Sequence, residues 1–122
     1  MIVGKPQAAV PPGTHQGQIT QAIETRRTFA EGAEPENTVE ITLQPNFKVP
    51  AGTEVLPVVV NFSPVLNGLS ALSKLLTRLN IPAPKAGTDF DVESLVGLNV
   101  EFTCDINQKG FVRVKKESIV LA

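Results

Sequence analysis

"SPVLNGLSALSKLLTRLNIP", residues 63–82, is the one stretch where the hydrophobic spacing of the chain changes from strand-like to helical. Leu69, Leu72, Leu75, Leu76 and Leu79 fall on one arc of a helical wheel, with Lys74 and Arg78 opposite. That spacing predicts an amphipathic helix with its leucines turned inward and its two cations on a solvated surface. The end is well marked. Asn80 suits the left-handed position just past the last turn, Ile81 can fold back on Leu76, and Pro82 stops the helix. The start is open, since Ser63–Pro64 and Asn67 both fit as caps.

On either side of this helix the chain reads as strand. Thr14 to Arg27 carries Ile19 and Ile23 among polar residues and forms a long first strand. "TVEITLQ" (38–44) alternates Val39, Ile41 and Leu43 with polar residues, the period of a half-buried strand. "EVLPVVVNF" (54–62) is β-branched enough to be a buried strand, and its Pro57 points to an edge or a bulge. The loop "TFAEGAEPEN" (28–37) separates the first two strands and is made acidic by Glu31, Glu34 and Glu36. Beyond the helix, an acidic connection (82–94) leads to "LNVEFTCDI" (98–106), where Leu98, Val100, Phe102, Cys104 and Ile106 alternate with polar residues. A turn at Asn107–Gly110 leads to the last strand, Phe111 to Leu121. Its parity slips near Lys116, because Val112 and Val114 are even while Ile119 and Leu121 are odd; a bulge allows this.

The order is therefore strand, strand, strand, helix, strand, strand. It predicts a mainly β fold, a five-stranded antiparallel OB-like barrel with one helix between strands three and four, the leucine stripe plugging one end. A β-grasp or a small sandwich with an incidental helix satisfies the same order. Residues 1–13, with "KPQAAVPPG" at 5–13, read as an irregular N-terminal arm, and 14–122 as a single OB-like domain.

Bulk composition narrows the function. At 122 residues the chain can bury one core without disulfides or metals. Hydrophobic content of 42% with 19% charged residues fits a globular class. No apolar run approaches the roughly 20 residues needed to cross a bilayer, so no membrane partner is expected. The N-terminus does not read as a signal peptide, and the single Cys104 suits a reducing cytoplasm. Eleven basic against 12 acidic side chains give a net charge of -1, which excludes binding nucleic acid by bulk attraction but leaves local patches open. His15 is the only histidine, and it makes no metal site or catalytic pair with Cys104. Asp89, Asp91 and Glu93 lack the glycine and distal glutamate of a calcium loop and read as solvated. With no phosphate-cradling glycine loop, nucleophile elbow or zinc spacing, neither an enzyme nor a cofactor is expected.

The positive charge is not spread evenly. "NQKGFVRVKK" (107–116) holds Lys109, Arg113, Lys115 and Lys116 around Phe111, with no acid. With Val112 and Val114 turned to the core, Phe111, Arg113 and Lys115 would project together from the other face. An exposed ring beside cations is what a single strand of nucleic acid needs, for bases stack on the ring while cations follow the phosphates. An edge strand guarded by lysines against aggregation accounts for the charge too, though not for the ring. A second group, Arg26, Arg27 and Phe29, sits where strand one runs into its acidic loop. Phe47 with Lys48, after strand two, is a third.

From Gly13 onward the chain resembles the small OB-fold, single-stranded-DNA-binding-like proteins of bacteriophages and related mobile elements. The resemblance is carried by "PGTHQGQI" opening strand one, by "LSALSKLLTRLNIP", and by "DVESLVGLNVEFTCDINQKGFVRVKK", in which the step "SLVG" enters strand four. It spans roughly residues 13–121 and implies binding of single-stranded DNA, or RNA, with little sequence preference. That activity would serve phage or plasmid replication or recombination in the host cytoplasm, with a homo-oligomer or replication proteins as further partners. In OB-folds the loop after strand one and the loop between strands four and five flank the ligand face, so the resemblance brings the first two basic–aromatic groups to one side. A structural or protein-interaction β-barrel module, virion-associated or an adaptor, is the rival, favoured by the balanced charge and the absence of Trp and Tyr.

Overall fold

The computed structural model describes residues 6–28, 31–66, 69–82 and 90–122, apart from the side chain of Arg27. Its strands are β1 (Gln7–Ala8), β2 (Gly13–Arg27), β3 (Glu36–Asn46), β4 (Glu54–Val55), β5 (Val58–Phe62), β6 (Asn99–Ile106), β7 (Val112–Val114) and β8 (Val120–Leu121). The helix α1 (Ala71–Arg78) lies between β5 and β6. The main sheet runs β5-β3-β2-β6-β7 with every pair antiparallel, and β8 pairs with β6 beyond β7. The result is a mainly β, curled antiparallel half-barrel with its helix between the third and fourth, in chain order, of the five strands on that path.

The curl has a local cause. β2 pairs with β6 through Gly13–Gln18 and with β3 from Gln16 to Arg27, and its register with β3 slips between Ile19 and Gln21. One extra residue at Thr20 bends and twists the strand there, so a single long strand serves two ladders that face different ways. Just before the bend the backbones are so close that a Cβ at Gly17 would lie 2.7 Å from the Gln44 carbonyl oxygen and 2.9 Å from Phe102 Cε1. Only glycine fits.

The core lines the inside of this curl. Ile19, Ile41, Leu43, Phe62, Val100 and Phe102 are at most 1% exposed. Leu72, Leu75 and Leu76 of α1 and Leu79 at its cap close it, each burial contributing about 1.5–3 kcal/mol. The helix ends as its sequence predicts: Asn80 takes φ 58°, the Ile81 N–H reaches the Leu76 carbonyl at 2.9 Å, and the Asn80 N–H reaches Thr77 at 3.1 Å. It begins later than Ser63–Pro64 or Asn67. The cap is Ser70, whose Oγ accepts from the Ser73 N–H and donates to the Val65 carbonyl. Leu69 therefore precedes the first turn and is 80% exposed rather than buried.

Arg78 also departs from the solvated position its wheel predicts. Its Nε donates to the Ile119 carbonyl and its Nη2 to the Lys116 carbonyl, both at 2.8 Å. Partial burial lowers its pKa from the ordinary value, and nearby Glu117 opposes that. The carbonyls belong to the 3-10 turn at Lys116–Ser118 and to Ile119, its C-terminal cap; this turn stands where a bulge was expected in the last strand. Of the arm at 1–13, Gln7–Ala8 pairs in parallel with β4 and Val10 is 3% exposed within the core, so this part is built into the fold. Pro57 falls in the gap between β4 and β5, and β5 is a sheet edge, as the proline suggests.

Candidate nucleic-acid interface

Three surfaces meet around the β6–β7 hairpin. The hairpin turns through Asn107, whose Oδ1 accepts the N–H groups of Lys109 and Phe111 at 2.9 Å each. Gly110 completes the turn at φ 85°, where a side chain would strain the backbone. Held this way, Phe111 is 67% exposed and Lys109 is exposed beside it.

Arg113 and Lys115 follow on the strand. Arg113 Nε lies 3.1 Å from Asp105 Oδ1, and Lys115 Nζ lies 4.0 Å from Asp105 Oδ2. One half-buried carboxylate thus positions two exposed cations. Exposed pairs of this kind contribute about 1 kcal/mol at most, so a polyanion can compete for both. Val112 corrects the sequence reading: it is 38% exposed rather than in the core, and only Val114 packs against the core. β7 is an edge over a groove, which leaves its inward face half covered.

That groove, of about 680 Å³, runs between the two ends of the strand order. Val58, Val59 and Val60 of β5 line one wall and Val112, Arg113 and Val114 of β7 the other. The outer edges of β5 and β7 pair with no described strand. Lys116 lies at one limit, its Nζ 5.4 Å from the centre of the Phe62 ring. Cys104 also reaches the groove but is only 3% exposed; burial, and then Asp105, push its thiol pKa up, so it stays protonated and unreactive.

The other expected site residues are placed elsewhere. Arg26 is exposed and pairs with Asn37 at the far end of β2, while Arg113 sits beside Asp105, one residue past the Cys104–Gly13 pair at its near end. Thirteen residues of strand, about 43 Å along its contour, separate the two ends. Register therefore puts the two groups at opposite ends of β2 rather than next to each other. Arg27 pairs with Glu36, but its side chain and the whole of Phe29 lie outside the described residues. Glu31, Glu34 and Glu36 are all exposed. Lys48 is exposed, whereas Phe47 is half-buried against the core with its ring 5.7 Å from that of His15. Asp91 caps a 3-10 turn, accepting the Glu93 N–H at 3.0 Å.

A third surface escaped the sequence reading. Thr14, Gln16 and Gln18 of β2, Gln44 and Asn46 of β3, and Asn99, Glu101, Thr103 and Asp105 of β6 alternate with buried neighbours and share the outer face. The Thr14 and Thr103 hydroxyls meet across it at 3.0 Å. At one end is a recess of about 360 Å³ lined by Gln16, Gln18, Gln44, Asn46 and Asn99. The alternation was visible in the sequence, but only the register brings five carboxamides from three strands together. No protein-family model and no curated protein matches this chain.

Proposed function

We propose that the protein is an OB-like barrel that binds single-stranded nucleic acid, DNA in the first place, with the β6–β7 hairpin as its principal contact. One observation carries this: Phe111, 67% exposed, stands on a turn with Lys109 beside it and with Arg113 and Lys115 on the strand that follows. A base stacked on such a ring contributes about 1–3 kcal/mol, and the cations meet the phosphates on either side of it. The strand order and the place of α1 support the OB-like reading. Service in phage or plasmid replication or recombination follows from the resemblance of residues 13–121 and belongs to the same proposal.

Fluorescence anisotropy with a labelled oligo-dT at low salt tests it. Binding is expected, weakening as salt rises with a shallow slope because few phosphates are met. An unchanged signal up to tens of micromolar protein, on the order of ordinary non-specific affinities, removes the reading. A second reading, a protein-interaction or structural module without nucleic-acid binding, is favoured by the two edges that face each other across the groove and pair with no described strand. Each could accept an extended strand from another protein. It gains if the anisotropy is silent and sizing shows an assembly instead.

A further inference from the structure

We propose that the recess on the outer face selects nucleobases that carry an exocyclic amino group, cytosine and adenine above thymine. This inference rests on the single-strand reading above and adds a preference that the hairpin alone would not give.

The chemistry of the lining speaks against phosphate as the occupant. Its side chains are carboxamides, together with Gly17, Pro45 and Ala122, and none carries a positive charge. Glu101, opposite Gln16 in the register, adds a nearby carboxylate on the same face. What the recess offers a ligand is hydrogen bonding, and the hydrogen bonds already made bias it. Gln18 Nε2 donates to the Gly97 carbonyl at 3.2 Å, and Gln44 Nε2 donates to the Val55 carbonyl at 3.1 Å. Because both partners are carbonyl oxygens, the bonded atoms must be the amide nitrogens, and the orientation of each side chain is fixed by chemistry. Each glutamine has thus committed a donor and keeps both lone pairs of Oε1. The recess as a whole is richer in acceptors than in donors.

Bases differ in what they bring to such a surface. Cytosine and adenine present amino groups at N4 and N6, where thymine presents the acceptor O4. Single-stranded bases are free to offer these edges. The recess is also well placed for a strand held at the hairpin. Asn99 and Asp105 lie on one face of β6, six residues or about 20 Å apart, with Thr103 and Glu101 between them. A short extended strand with its phosphates at Arg113 and Lys115 reaches the amides along this face.

Oligo-dC against oligo-dT, equal in length, is the sharpest comparison because both are pyrimidines. The unaltered protein is expected to bind oligo-dC about three- to tenfold more tightly, the worth of one net hydrogen bond. In Gln18→Met with Gln44→Met the ratio is expected to fall to about one. Gln16→Ala with Asn46→Ala, which alters only exposed side chains, is the companion variant should the first fail to fold, and its ratio must fall as well. Equal binding of the two oligomers by the unaltered protein overturns the inference. So does a dC preference that survives in either folded variant. In both cases single-strand binding itself stands. Binding of neither oligomer removes the functional reading and this inference together.

Discussion

The plugged end of the half-barrel and its open side are built on opposite terms. At the plugged end Leu72, Leu75 and Leu76 of α1 and Leu79 at its cap are at most 2% exposed, and Arg78 ties the helix to two carbonyls of the last segment. Along the open side Val59 is 52% exposed, Val112 is 38% exposed, and Arg113 and Lys115 share Asp105. Stability is concentrated at one end and surface chemistry at the other. The lesson is that the open side can change what the molecule touches without deciding whether it folds.

Three variants test that division. Leu75→Ala opens a cavity at a fully buried position and is expected to cost about 2–5 kcal/mol, seen as a large fall in thermal or urea midpoint. Arg78→Met keeps the apolar stem and removes both hydrogen bonds to the carbonyls of Lys116 and Ile119. Its expected cost is about 1–3 kcal/mol by the same measurement, and a cost near zero would show that water replaces the tie freely. Arg113→Glu with Lys115→Glu should move stability by only about 0.5 kcal/mol, as exposed positions do, while abolishing oligo-dT binding. If this double variant unfolds the protein, the two regions are not separable and the comparison fails. If it folds and still binds, the hairpin is not the contact.

Where sequence reading succeeded, the cause was local. Asn80, Ile81 and Pro82 end the helix through bonds made within one turn, and the alternation of Val100, Phe102 and Cys104 alone predicts β6. Where it failed, the cause was distant. Leu69 has helical spacing, but the contact of Ser70 with Val65 starts the helix one residue later. Val112 has the parity of a core residue, yet no described strand covers the edge on which it lies. Arg78 belongs to the polar side of its helix, and carbonyls from another part of the chain claim it. The candidate site was legible to the same extent. Phe111 and the cations of the hairpin are neighbours in sequence, whereas the five amides of the recess meet only through the pairing of β2 with β3 and β6.

The bonds of Arg78 also order events in time. Its two acceptors lie 38 and 41 residues further along the chain, and an eight-residue helix has little stability of its own. While the chain is being synthesised, α1 emerges long before the carbonyls that will fasten it. Until the segment that carries them follows, the helix lacks both bonds. This is the interval in which a nascent molecule most needs protection from its neighbours.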